Sequence, residues 1–134
     1  MDEEFDKVMR DGHMEDRTEE QIAHFNKTIA AEKKKLQNIF KSSEENIKKI
    51  AFPLIDNVAY MNVELANLKR YNIEHGIKEF YMNGKGQFGY KESVESKTYT
   101  AMLKNYMSAI KQLNELLPKG KSIPSDDGFE TFGE

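Results

Sequence analysis

Residues 93–117 read SVESKTYTAMLKNYMSAIKQLNELL and run into Pro118. Within them Tyr99, Tyr106 and Leu113 recur every seven residues, as do Met102, Ala109 and Leu116, and again Leu103, Ile110 and Leu117. Three apolar positions in each heptad make a stripe wider than a two-helix seam, so the spacing predicts a helix with more than one neighbour. Working back from it, the glycine-rich stretch NGKGQFGYKES (83–93) carries Asn83, Gly84, Gly86 and Gly89, which end one helix and permit reversal. Ser93 stands ready to cap the next. Before that, from Pro53 to about Met82, Leu54, Val58, Met61, Leu65 and Leu68 step by 4, 3, 4 and 3, and Ile73, Ile77 and Phe80 continue in a shifted register. Together these read as a long antiparallel helical hairpin over residues 53–117, in an all-α chain.

Further upstream the signals weaken. Thr18 opens a helix with the capping-box pattern T-E-E-Q, and Ile22, Phe25, Ile29, Leu36 and Ile39 keep helical spacing through residue 41, interrupted at Glu32. A second capping pattern, S-S-E-E from Ser42, predicts a break or tight re-initiation. A short helix with Ile47, Ile50 and Ala51 follows, and Pro53 predicts a break or kink after Phe52, because proline lacks the backbone donor and disfavours the α conformation before it.

Charge is segregated along the chain. Residues 1–20 hold nine acids and three bases, residues 122–134 four acids and no base, and residues 21–121 seventeen bases and ten acids. The division expected is a disordered acidic arm at 1–17, a basic helical segment at 18–52, the hairpin core at 53–117 and a disordered acidic tail at 118–134. Phe129 and Phe132, three apart in that tail, look like a docking pair for a protein partner. A basic body between acidic ends suits a polyanion.

Other classes find little support. The chain has no cysteine, so disulfide and thiolate chemistry are excluded, and no 18-residue stretch is apolar enough to suggest a membrane span. With an acidic N-terminus unlike a signal peptide, a soluble, unsecreted protein is expected. His13, His24 and His75 are scattered without metal-ligand spacing, and no serine or threonine sits in a nucleophile elbow, so neither an enzyme nor a metal or other cofactor is expected. G-K-G-Q-F-G at 84–89 matches a dinucleotide fingerprint only formally, since a helix precedes it where a strand is required. Anion contact through Lys85, Lys91 and the start of the last helix is the lesser alternative to a plain loop.

The lysines carry more. Lys97, Lys104 and Lys111 repeat every seven residues but fall opposite the apolar stripe, as a solvated face would. Lys27, Lys34, Lys41 and Lys48 also step by seven, flanked by Lys33, Lys35 and Lys49. If the helices meeting near Ser42 are collinear, these seven form one ridge more than about 30 Å long, at 1.5 Å per residue. Such a ridge suits a phosphate backbone and reads no base sequence.

FPLIDNVAYMNVELANLKRYNIEHG, YMNGKGQFGYKES and MLKNYMSAIKQLNELLP closely resemble the small subunit of tailed-bacteriophage terminases, in the branch common among phages of low-GC Gram-positive hosts. The resemblance covers about Pro53 to Pro118. It implies a non-enzymatic DNA-packaging protein, active in the host bacterial cytoplasm and not expected in the mature virion. Such a protein forms a homo-oligomeric ring, binds double-stranded viral DNA at the packaging start, and recruits and regulates the large terminase subunit, which holds the ATPase and nuclease. Carried onto this sequence, the ring-forming residues would be Leu54, Val58, Met61, Leu65, Leu68, Tyr99, Met102, Leu103, Tyr106, Ile110, Leu113 and Leu117. Lys27 to Lys49 would meet DNA, and Phe129 and Phe132 the large subunit. Many family members begin with a compact helix-turn-helix, whereas residues 18–41 read as one helix, so backbone-dominated binding is expected. The alternative from another class is a helical self-assembling scaffold or adaptor that binds no nucleic acid.

Overall fold

A computed structural model describes residues 16–124. The chain runs α1 (Glu19–Ile39), α2 (Glu45–His75), β1 (Lys78–Met82), β2 (Phe88–Glu92) and α3 (Val94–Leu116). It is therefore mostly helical with one small antiparallel sheet, and the all-α expectation is corrected to that extent.

α1 begins as its sequence predicts. The Thr18 hydroxyl accepts from the Gln21 N–H while the Gln21 side chain accepts from the Thr18 N–H, which satisfies two of the donors left over at a helix start. After α1 the chain turns through residues 40–44 and reverses. The cap of α2 falls on Glu44, without a side-chain hydrogen bond, and not on Ser42.

α2 is the spine. It runs unbroken for 31 residues with Pro53 inside it, so the predicted break at Phe52 does not occur. Proline there deprives the Lys49 carbonyl of its donor. Burial outweighs that local penalty, because Ala51, Ile55, Val58 and Ala59 on the same stretch are almost wholly removed from solvent. Pro53 itself is exposed. Pro53→Ala is accordingly expected to raise the unfolding free energy by about 2 kcal/mol, the roughly 3 kcal/mol penalty less what proline gains by restricting the unfolded chain. Urea titration checks this, and an unchanged midpoint would mean that the orphaned carbonyl is satisfied in another way.

α1 and α3 both pack on α2, each antiparallel to it. Arg17 holds the start of α1 by pairing with Glu64 at 2.8 Å and lying 3.9 Å over the Phe25 ring. The Asn62 side-chain amide donates to Glu32 at 3.0 Å. The three helices share one core at the end where α1 finishes and α2 begins: Leu36 and Phe40, then Ala51, Ile55 and Val58, then Ala109, Leu113 and Leu117. Only Leu36 within α1 itself is buried, which accords with its interrupted stripe. The Ile123 N–H donates to Asn114 Oδ1 at 2.8 Å, and Ile123 packs against the core. Ile123, in the first part of the expected tail, is therefore placed against the helices.

At the other end the expected helix through Met82 stops at His75. Gly76, at φ +78° and ψ −179°, takes an extended positive-φ conformation open essentially only to glycine, and this ends the helix. Residues 78–92 form a β-hairpin in which Phe80 faces Tyr90 and Met82 faces Phe88. The shifted helical register does not carry past Gly76, because a glycine with positive φ breaks it, and the aromatic Phe80, Tyr81, Phe88 and Tyr90 suit paired strands. The hairpin base is tied to α3: the Ser93 N–H donates to the Ile77 carbonyl at 2.9 Å, and the Ser96 hydroxyl donates to Glu92 at 2.8 Å. Ser93 caps α3 through the Ser96 N–H, as expected.

Candidate functional site

The reversal at residues 40–44 decides what the lysines do. Because α1 folds back along α2, the collinearity on which one continuous ridge depended is absent. Lys27 and Lys34, seven residues apart, share a face of α1. At about 100° per residue they lie some 160–180° from Leu36, so they point away from α2 into solvent. Lys41, in the turn, and Lys49, on α2, are also exposed. These four carry no ion pair among the described residues.

The remaining three are engaged within the chain. Lys33 reaches across to Asp56 at 3.0 Å, Lys35 pairs with Glu32 at 3.5 Å, and Lys48 pairs with Glu45 at 3.5 Å. Lys33 and Asp56 are 23 positions apart, and only the antiparallel packing of α1 on α2 brings them together. The seven candidate lysines thus divide into an outward set and a set already neutralised at short range.

The twelve expected assembly residues divide too. Val58, Leu65, Leu113 and Leu117 are buried inside the chain, and Leu54, Met61, Tyr106 and Ile110 are half-buried against the core. Leu68, Tyr99, Met102 and Leu103 are half-buried. On α2 and α3, Leu65, Tyr99, Leu103, Tyr106 and Ile110 line an open apolar groove of about 800 Å³, one end of which is walled by Ile123 and Pro124. Phe129 and Phe132 lie outside the described residues.

The glycine-rich loop is no phosphate cradle. Asn83 Oδ1 accepts from the Lys85 and Gln87 N–H groups, and the Asn83 carbonyl from the Gly86 N–H, so these three loop donors are spent on the turn. Lys91 pairs with Glu79 across the hairpin at 3.5 Å. His24 is exposed, and His75 stacks near Tyr71 with ring centroids 4.4 Å apart. The Tyr71 phenol is pushed above its ordinary pKa, first by partial burial and then by the Glu95 carboxylate to which it hydrogen-bonds. Among the described residues no group of three His, Asp or Glu could hold a metal ion, and no helix is long and apolar enough to cross a membrane.

The feature that sequence reasoning missed is the hairpin itself. Its apolar side chains Phe80, Met82, Phe88 and Tyr90 share one face and are 55, 66, 70 and 72 % exposed. Two five-residue aromatic runs, KEFYM and FGYKE, either side of an Asn-Gly turn, were the legible signal. Comparison of the chain with protein-family models, curated proteins and solved structures returns no match.

Proposed function

We propose that the chain is a small terminase subunit: a non-catalytic, ring-forming protein of the host bacterial cytoplasm that binds double-stranded viral DNA and recruits the large ATPase-nuclease subunit. The observation that carries DNA contact is the outward set. Lys27 and Lys34 stand on the face of α1 opposite its packing face, with Lys41 beyond them, so they can meet phosphates without disturbing the core. The apolar groove on α2 and α3 supports self-assembly, and the likeness of residues 53–118 to small terminase subunits supplies the packaging role.

A second reading, a helical scaffold without nucleic acid, is favoured by the in-chain pairing of Lys33, Lys35 and Lys48 and by the exposed aromatic hairpin, a surface suited to protein contact. One titration separates the two. Fluorescence anisotropy with duplex DNA from 50 to about 300 mM salt is expected to give a log–log slope of about −3 or steeper, at roughly −0.9 per phosphate neutralised. Absence of binding at 50 mM salt, or binding indifferent to salt, selects the scaffold.

A further inference from the structure

We infer that copies of this chain join head to tail, the apolar face of the β1–β2 hairpin of one copy seating in the α2–α3 groove of the next. This rests on the assembly reading above and says which surfaces make the contact.

The hairpin has the pattern of a sheet with one buried face, yet that face is open. Phe80 and Met82 on β1 sit directly opposite Tyr90 and Phe88 on β2, with Phe80 5.9 Å by ring centroid from both Phe88 and Tyr90. The reverse face carries Glu79, Tyr81, Gly89 and Lys91, and is polar apart from the Tyr81 ring, which lies over Gly89. An isolated two-stranded hairpin is marginal in water and needs packing on its apolar face to persist. Three aromatics and a methionine, each able to bury some 150–250 Å² and now about two-thirds exposed, offer on the order of 500 Å². Counted on both partners, that reaches the roughly 1,000 Å² in total that a specific interface should bury.

The matching surface is on the same chain but not in reach of its own hairpin. The groove lined by Leu65, Tyr99, Leu103, Tyr106 and Ile110 is open in the structure, and the Ile77–Ser93 and Glu92–Ser96 hydrogen bonds fix the hairpin base at the start of α3. The rims correspond in charge. Lys78 and Glu92 face each other at one end of the hairpin's apolar face, and Lys111 and Glu115, one helical turn apart, border the groove. An apolar knob and an apolar hole at different places on one molecule make a heterologous contact, which closes into a ring when the rotation allows. A second copy of this chain supplies both in equal number.

The test uses the full chain and two variants, F88E/Y90E on the hairpin and L103E in the groove, followed by native mass spectrometry with circular dichroism to check helicity. Wild type is expected as a closed oligomer and each variant alone as a monomer of unchanged helicity. Mixed one to one, the variants are expected to form a heterodimer and nothing larger, because the mixture retains one intact hairpin and one intact groove. F88S/Y90S repeats the hairpin arm without introducing charge. Either variant keeping the wild-type mass, or a mixture that stays monomeric, overturns the hairpin-to-groove contact and leaves the wider assembly reading standing. A monomeric wild type overturns both.

Discussion

Replacing Phe40 with alanine is expected to lower the unfolding free energy by about 3–5 kcal/mol, the range for removing a fully buried aromatic ring. Phe40 has no exposed surface although it sits at the C-cap of α1, where a side chain is ordinarily half in water. The ring is buried because three helices end or begin around it: Leu36 from α1, Ala51 and Ile55 from α2, and Leu113 and Leu117 from α3 belong to the same cluster. Truncation leaves a void bounded by all three, and a site framed by separate helices collapses only partly. Ile22, at the other end of α1 and 47 % exposed, is the control, and Ile22→Ala is expected to cost less than about 1 kcal/mol. Urea unfolding followed by circular dichroism, at protein concentrations low enough to suppress self-association, reads both. A Phe40→Ala loss no larger than the control's would mean that α1 docks on α2 without help from its C-terminal end.

The contrast between Phe40 and Pro53 explains what could be read from the chain alone. Helix starts at Thr18 and Ser93 were legible, since a capping hydroxyl acts on a backbone donor two or three residues away and needs nothing distant. The apolar stripes of α2 and α3 and the stop before Pro118 were legible on the same ground. Continuity through Pro53 was not, because the local penalty is set against burial of Ala51, Ile55 and Val58 by residues more than fifty positions further on. Ile73, Ile77 and Phe80 step by 4 and 3, a helical spacing, and what ended the helix between them was Gly76, whose positive φ the periodicity alone does not reveal. At the candidate site, the seven-residue period of the lysines was visible, but which of them face a carboxylate depends on the reversal at residues 40–44. Likewise the stripe identified apolar positions without separating Leu113, spent inside the chain, from Leu103, which lines an open groove.

That division of the lysines makes the sharper functional prediction. Changing Lys27, Lys34 and Lys41 together to alanine is expected to weaken duplex binding at 0.1 M salt by several hundredfold. Each neutralised phosphate contributes about 0.9 of a log unit per decade of salt, so giving up three at that concentration amounts to roughly 2.7 log units, with the salt slope reduced by about the same figure. Changing Lys33, Lys35 and Lys48 removes the same formal charge but is expected to weaken binding by less than about tenfold. Their charges are already held within 3.5 Å of Asp56, Glu32 and Glu45, and a phosphate approaching them meets the carboxylate as well. Exposed pairs of this kind contribute no more than about 1 kcal/mol to stability, so both triple variants should fold and the comparison reads binding. All six positions lie outside the shared core, which keeps the two sets matched in that respect. If both triples weakened binding equally, net charge alone would govern contact with DNA and the outward face of α1 would have no special part. If the paired set had the larger effect, the contact surface would lie along the α1–α2 seam, where Lys33 meets Asp56, and the oriented ridge of Lys27 and Lys34 would be the solvated face.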